Sequence, residues 1–365
     1  LQLTVLLAAL FVVLGNGRIG GGDGEAMYQV TQAMAERGQL NLPPGALPAV
    51  EIILVDSTDT SIPYTITGRG GLTYAKYGLG QSVVALPLYL GGAMWRTLTG
   101  NPHGPRSAAS LLNALLVAGT AGLLLKLVRQ LGYPPSAGQM LALAYALCTP
   151  AWVYTHTFFS EPLVTLCLVA ATFFAIRFSQ SSQERWLSFA GAALGLAALT
   201  RIDAVAALPA FGLYLSLTWW QHRPSLAAAA RQSAVAGAPF AAGLGLALLY
   251  NCHRFGNPLQ FGYDTSNWQS NFLAGLHGLT VSPGKGLLWY APPVILGLLG
   301  LPAFARRFSR EALLCLALTV GYLALHAPYT YWEGGWCWGP RLILPVLPFV
   351  LLPAAPILAQ GRRRV

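Results

Sequence analysis

Two carboxylates stand close together early in the chain, in the triplet Asp23-Gly24-Glu25. The whole sequence of 365 residues has only 12 Asp and Glu residues. A carboxylate in apolar surroundings with few cations nearby has a raised pKa, which suits it to take a proton from a hydroxyl. Asp23 and Glu25 are therefore candidate catalytic residues, and they are the candidate ligands if a divalent metal ion is used.

A structural interpretation of the same triplet is helix capping. Asp23 would cap an amphipathic helix over 24–38, Glu25 would favour the N-terminal dipole, and Gly38 would end the helix. Both interpretations can hold for one residue.

Two further charged sites precede or begin apolar segments. Lys76, in Tyr74-Ala75-Lys76-Tyr77-Gly78, is a candidate ligand for a lipid phosphate. The alternative is that it extends its amine from the membrane interface to water. Glu161, in Ser160-Glu161-Pro162, is a candidate catalytic or acceptor-positioning carboxylate, or a favourable charge at a helix N-terminus.

Arg201 and Asp203 interrupt the apolar stretch 187–220, which is too long for one crossing. Charged breaks in membrane helices are usually tolerated where they line a cavity, so both are candidate substrate-binding residues. The alternative is a pair that satisfies the helix ends. Arg254, in the loop 251–264, is a candidate phosphate ligand, against a purely conformational role for that loop.

The segment 329–341 reads YTYWEGGWCWGPR and is rich in aromatic residues. Such residues form membrane-interface belts, and they also stack on sugar rings. Glu333, Trp336 and Arg341 are the candidate substrate-binding residues here, with Arg341 as a phosphate clamp.

The composition is that of a membrane protein, with 55% hydrophobic and 9% charged residues. A spanning helix needs about 20 apolar residues. We predict a single all-α polytopic membrane domain over 1–365 with about ten transmembrane helices. The predicted spans are 1–14, 108–125, 137–155, 162–178, 187–200, 203–220, 233–250, 287–305, 312–327 and 341–358. The first lacks an initiating Met, which favours a helix without its start over a signal peptide.

The net charge of +10 is explained by basic cytoplasmic loops better than by nucleic-acid binding. The segment 79–97 is apolar but is interrupted by Pro87 and Gly91-Gly92. If it crossed, the Arg-rich loops would face outward, so we expect a juxtamembrane helix instead. Two large outer loops follow, 15–107 and 251–286, and nearly all the acids face outward.

Several sites are absent from the sequence: there is no GxxxxGK[ST] loop, no HExxH pair and no GxSxG elbow. With no soluble catalytic domain, a donor must be reached through the membrane, which favours a lipid-linked substrate. The five cysteines show no zinc spacing, and a Cys252–Cys337 disulfide is one alternative.

Together these residues resemble those of polytopic glycosyltransferases of the GT-C type, a group that includes protein O-mannosyltransferases and lipid A aminoarabinose transferases. The resemblance covers the whole chain. Its motifs are Asp23-Gly24-Glu25, Lys76, Ser160-Glu161-Pro162, Gly195 to Arg201 with Asp203, Arg254 to Pro258, and Gly335 to Arg341.

The resemblance implies transfer of a hexosyl or pentosyl group from a polyprenyl-phosphate carrier to a lipid, glycan or protein acceptor. It implies inversion at the anomeric carbon, with Asp23 as base, and an active site on the outer face of a bacterial cytoplasmic membrane. Metal use varies in the group, so a divalent ion stays open. One departure is Lys76-Tyr77-Gly78, where the commoner pattern is Lys-Pro-Pro. The competing functions are a flippase of lipid-linked sugars and a non-catalytic envelope-assembly scaffold.

Overall fold

The computed structural model describes residues 2–43, 51–55, 58–62 and 64–360. Its described residues are mostly α-helical, as predicted, with two short antiparallel hairpins. The first eight helices are α1 (Gln2–Leu14), α2 (Gly22–Arg37), α3 (Gly80–Thr99), α4 (Gly104–Ser110), α5 (Leu112–Gln130), α6 (Pro135–Leu147), α7 (Ala151–Tyr154) and α8 (Glu161–Ser181). The others are α9 (Arg185–Thr200), α10 (Leu208–His222), α11 (Leu226–Phe255), α12 (Phe272–Thr280), α13 (Leu287–Tyr290), α14 (Val294–Arg307), α15 (Ser309–His326), α16 (Leu347–Leu351) and α17 (Ala355–Gln360).

Among the described residues, five helical segments are long and apolar enough to cross a membrane. They are Gly104–Gln130, Glu161–Ser181, Ile202–His222, Leu226–Phe255 and Arg341–Gln360. Helices of this length and composition are those of an integral membrane protein. The number of ten crossings stays a prediction.

Prolines divide several predicted spans into shorter pieces. The segment 287–305 is not one helix, because Pro292 and Pro293 separate α13 from α14. The last segment combines α16 and α17 with 3₁₀ turns at Arg341–Val346 and Leu352–Ala354. Proline removes a backbone donor and clashes with the preceding turn, which accounts for these breaks.

The first large loop contains strands that the sequence analysis did not predict. Strand β1 (Glu51–Val55) pairs with β2 (Thr58–Ile62), and β3 (Thr65–Thr67) pairs with β4 (Thr73–Ala75). Lys76 follows β4 directly. The apolar segment 79–97 forms the helix α3, and its expected position along the membrane surface stays a prediction.

Glycines allow α9 and α11 to approach each other closely. A Cβ on Gly191 would lie 1.9 Å from the carbonyl oxygen of Ala236, and one on Gly243 would lie 2.4 Å from that of Gly195. Small residues at such crossings let helix backbones touch in membrane proteins. This contact fixes the C-terminal ends of both helices beside each other, where Arg201 and Arg254 lie.

Candidate active site

A cavity of about 560 Å³ lies among the ends of α2, α8, α9, α11 and α15 and the loop before Arg341. Most of the residues that were singled out from the sequence line it. They are Asp23, Lys76, Arg201, Asp203, Arg254, Trp336 and Arg341. Residues widely separated in sequence therefore meet at one site, as expected if the polar helix ends lie on one side of the membrane.

The charged side chains of this cavity form a continuous chain of ion pairs. Arg341 places Nη2 2.9 Å from Asp23 Oδ2 and Nε 3.2 Å from Glu161 Oε1. Arg201 donates to Glu161 Oε1 at 2.8 Å and to Asp203 Oδ2 at 2.7 Å. Carboxylates and guanidinium groups thus alternate from Asp23 to Asp203. Glu161 is almost fully buried, at 1% exposure, so its charge depends on these two guanidinium groups.

Local structure explains the position of each carboxylate. Asp23 lies in the first turn of α2, whose N-cap is Gly21 and carries no capping side chain. Capping by Asp23 is therefore wrong, whereas the end of the helix at Gly38, with φ 65°, is confirmed. Glu161 begins α8 with Pro162 in the first turn. Arg201 ends α9 in an extended conformation, before a 3₁₀ turn over Ile202–Ala207.

Tyr77 and Lys76 complete the surroundings of Asp23. The Tyr77 hydroxyl donates a hydrogen bond to Asp23 Oδ1. The Lys76 amine lies 5.3 Å from the ring centre of Tyr77 and 5.9 Å from that of Tyr263. The backbone at Gly262 packs closely against the loop that contains Lys76, because a Cβ on Gly262 would lie 2.7 Å from the Lys76 carbonyl oxygen.

The pKa of Asp23 is lowered, whereas the sequence predicts a raised pKa. Burial by itself raises this pKa, but the charges of Arg341 and Lys76 and the hydrogen bond from Tyr77 together hold it below the ordinary value. The prediction assumes apolar surroundings with few cations. It fails because the fold brings two cations, Arg341 and Lys76, to this carboxylate. These contacts therefore favour the ionised form of Asp23.

Glu25 is not brought into this cavity. Both of its carboxylate oxygens accept hydrogen bonds from Arg106, each at 2.7 Å, and Gln29 donates to Oε1 at 3.1 Å. Its predicted catalytic role has no geometric support. Glu333 is not among the residues that line the cavity, and burial raises its pKa above the ordinary value.

Arg254 lies at the cavity, but its Nη groups are engaged with protein. Nη1 donates to the carbonyl oxygens of Ala75 and Tyr77, and Nη2 donates to Asn251 Oδ1 at 2.6 Å. These contacts make Arg254 a brace for the loop that carries Lys76. Trp336, by contrast, lines the cavity and is 81% exposed.

Other lining residues were not selected from the sequence: Asn251, Tyr263, His326 and Tyr329. His326 is buried at the end of α15, with Nε2 3.6 Å from Asp203 Oδ2. It lies within an apolar segment without a motif, so no local signal distinguishes it. The alternative disulfide is absent, because all five cysteines lie in the described chain and all are free.

The residues proposed for a metal do not fit one. Asp23 faces Arg341 and Tyr77, while Glu25 is engaged with Arg106. Within residues 2–43, 51–55, 58–62 and 64–360, no three His, Cys, Asp or Glu side chains are grouped to hold a metal ion. We therefore derive no step through a metal.

The helical arrangement is similar to that of solved membrane transferases. ArnT from Cupriavidus metallidurans matches with a TM-score of 0.60 and 17% identity, over 98% of this chain and 59% of that one. The oligosaccharyltransferase of Archaeoglobus fulgidus matches with a TM-score of 0.64 and 10% identity, over 99% of this chain and 50% of that one. The chain therefore shares the fold of these two proteins.

The chain spans only about half to three fifths of the length of these structures. Its residues 98–242 match the family model described as dolichyl-phosphate-mannose-protein mannosyltransferase. No curated protein matches the sequence. Related structures hold lipid phosphates: ArnT was solved bound to undecaprenyl phosphate, and AglB from A. fulgidus with an inhibitory peptide and a dolichol-phosphate.

Proposed function

We propose that this protein is a membrane glycosyltransferase that moves a sugar from a polyprenyl-phosphate carrier to an acceptor hydroxyl, with inversion, on the outer face of the membrane. The observation that carries the proposal is the ion-pair chain from Asp23 to Asp203 in a cavity that also holds Lys76. A carboxylate and several cations thus surround one space, and this supports a base and a phosphate site there. The lipid phosphates bound to ArnT and AglB support the same class of donor.

The charges around the cavity suit a monoanionic phosphodiester. Four cations line the cavity: Lys76, Arg201, Arg254 and Arg341. Three carboxylates belong to its ion-pair chain, Asp23, Glu161 and Asp203, so the charges sum to an excess of one positive charge. A sugar–phosphate–lipid diester carries a single negative charge, so its binding neutralises the site. A buried charge is stable only when it is paired, which favours this ligand.

Apolar residues form another part of the cavity wall and suit an isoprenoid chain. They belong to the ends of α9 and α15, the adjoining 3₁₀ turn and the loop after α11: Leu199, Val205, Ala206, Leu325 and Phe261. A lipid-phosphate donor needs such an apolar surface beside its cationic phosphate site. A water-soluble nucleotide sugar does not.

The reaction follows from the positions of these groups. Asp23 takes the proton of the acceptor hydroxyl, and the oxygen forms a bond to the anomeric carbon. The bond from that carbon to the phosphate oxygen breaks on the opposite face, and its electron pair stays on the lipid phosphate. Lys76, Arg201 and Arg341 stabilise this developing charge. Glu161 keeps both arginines in place.

Donor binding also prepares the base. The phosphate brings a negative charge next to Arg341, and a neighbouring anion raises the pKa of a carboxylate. The pKa of Asp23, which the cations hold low, therefore rises when the donor is present. Asp23 then accepts the acceptor proton more readily than it would in the empty site.

The alternative function is a flippase of lipid-linked sugars, and the two differ in whether a covalent bond breaks. Membranes that carry the protein are supplied with polyprenyl-phosphate sugars extracted from the source organism, and the lipids are quantified by mass spectrometry. A transferase consumes the sugar lipid and releases polyprenyl phosphate. If the sugar lipid only changes leaflet and its amount is constant, the transferase function is wrong.

A further inference from the structure

Tyr77 occupies an unusual position next to the proposed base. Its hydroxyl donates to Oδ1 of Asp23, while Arg341 Nη2 approaches Oδ2. Each oxygen of this carboxylate therefore has a different partner. Tyr77 is buried, at 5% exposure, and its hydroxyl reaches the cavity that it lines.

The other aspartate of the cavity has a different geometry. Asp203 is held by Arg201 through both oxygens: Nε lies 3.1 Å from Oδ1, and Nη2 lies 2.7 Å from Oδ2. A fork-to-fork pair of this kind is the preferred geometry of arginine and carboxylate. It occupies the lone pairs with which a base would take a proton.

The backbone around Tyr77 fixes the position of its hydroxyl. The Tyr77 carbonyl accepts a hydrogen bond from Arg254 Nη1 at 3.0 Å. The next residue is Gly78, where a Cβ would lie 2.4 Å from the carbonyl oxygen of Thr200. The backbone of the loop is therefore held between α9 and α11, and the buried ring of Tyr77 directs its hydroxyl to Asp23.

We propose that Tyr77 is a positioning residue: by holding Oδ1, it prevents Asp23 from closing a two-oxygen pair with Arg341 and so keeps the carboxylate available to the acceptor hydroxyl. The proposal rests on the proposed function, since it needs Asp23 to act as the base.

The test is a double-mutant cycle in the membrane assay described above, with Tyr77→Phe, Asp23→Asn and their combination. Tyr77→Phe keeps the buried ring and removes only the hydroxyl. We expect it to lower kcat by about 10- to 100-fold, as for a misplaced catalytic group, with the KM for the sugar lipid nearly unchanged. Added to Asp23→Asn, it should cause no further loss, because Tyr77 acts through that carboxylate.

Tyr89→Phe is the matched control. Tyr89 is also a buried tyrosine whose hydroxyl donates to a carboxylate of α2, Glu36, at 2.6 Å, and it lies away from the cavity lining. Its loss should leave kcat unchanged. The amount of folded protein in each membrane is compared by size-exclusion chromatography of the detergent-solubilised variants.

Two results would overturn the positioning role: a wild-type kcat for Tyr77→Phe, or a further loss of kcat in the double variant equal to the loss in the single one. Failure of the proposed function is distinguishable, because the wild-type protein itself would then consume no sugar lipid. Failure of Asp23 as the base would leave Asp23→Asn with wild-type turnover. An inactive Asp23→Asn with a fully active Tyr77→Phe contradicts only the role of Tyr77.

Discussion

Asp23 and Glu25 are separated by a single residue, yet the structure gives them different surroundings. Successive residues of a helix turn by about 100°, so residues i and i+2 do not share a face. Asp23 faces Arg341 in the cavity, and Glu25 faces Arg106. The sequence allowed the acidic triplet to be recognised, but only the start of α2 at Gly22 decides which acid points inward.

The first prediction concerns the pH dependence of turnover. Asp23 must be ionised to act as base, and its pKa lies below the ordinary value of 3.8 partly because of Lys76. Replacing Lys76 by Met removes a charge that lowers this pKa, so the acidic limb of kcat/KM should move to higher pH. Initial rates measured across acidic pH values provide the check. If the acidic limb of Lys76→Met lay at the same pH as in the wild type, it would contradict the assignment of that limb to Asp23.

The second prediction concerns donor binding by the same lysine. Loss of a hydrogen bond to a charged group costs about 1.5–3 kcal/mol, so Lys76→Met should weaken binding of undecaprenyl phosphate by about 10- to 100-fold. Native mass spectrometry of the purified protein measures this affinity. Lys126→Met, an exposed lysine of α5, is the matched control and should bind as wild type. If both variants bound undecaprenyl phosphate with the same affinity, Lys76 would not be a ligand of the phosphate.

At the scale of elements, the polar ends of helices were predictable and their contacts were not. The charged break at Arg201 and Asp203 was expected, and it separates α9 from α10 as predicted. The hairpin β3–β4 that carries Lys76 was missed, because its strands are only three residues long and show little alternation. The brace by Arg254 was missed because its partners are backbone carbonyls, which have no sequence signal.

The third prediction concerns the contact between α3 and α4. A Cβ on Gly92 would lie 2.4 Å from the carbonyl oxygen of Gly104, whereas one on the preceding Gly91 meets nothing within 4 Å. Gly92→Ala should destabilise the protein by about 1–3 kcal/mol, since overpacking forces a backbone shift. Gly91→Ala should be neutral or stabilising by about 0.5–1 kcal/mol, because alanine favours the helix. Thermal unfolding of the two variants in detergent measures the difference. Equal unfolding midpoints would contradict the close contact between Gly92 and Gly104.

At the scale of the whole molecule, composition predicted the helical membrane fold, and the order of weak motifs along the chain predicted the GT-C type. Proline breaks limit how far spans can be counted, since helices such as α13 and α14 share one apolar segment. Which loops face the outer side of the membrane depends on whether α3 crosses it. The distribution of arginines among the loops is only indirect evidence on that crossing.

The fourth prediction tests that topology with single cysteines in a cysteine-free protein. If α3 lies along the outer surface, Arg18→Cys before it and Asn101→Cys after it should both react with a membrane-impermeant maleimide in intact cells. Both positions are exposed in the structure. Gln183→Cys, an exposed position between α8 and α9, should react only after the membrane is opened. Labelling of Arg18→Cys and Asn101→Cys from opposite sides would show that α3 crosses.

The most direct test of the proposed mechanism is Asp23→Asn. The substitution keeps the size of the side chain and removes its ability to take a proton, so donor binding and catalysis can be separated. The variant should still bind undecaprenyl phosphate in native mass spectrometry. It should lose turnover of the sugar lipid by about 10²- to 10⁴-fold, the usual contribution of a general base. Turnover near the wild-type rate would contradict Asp23 as the base.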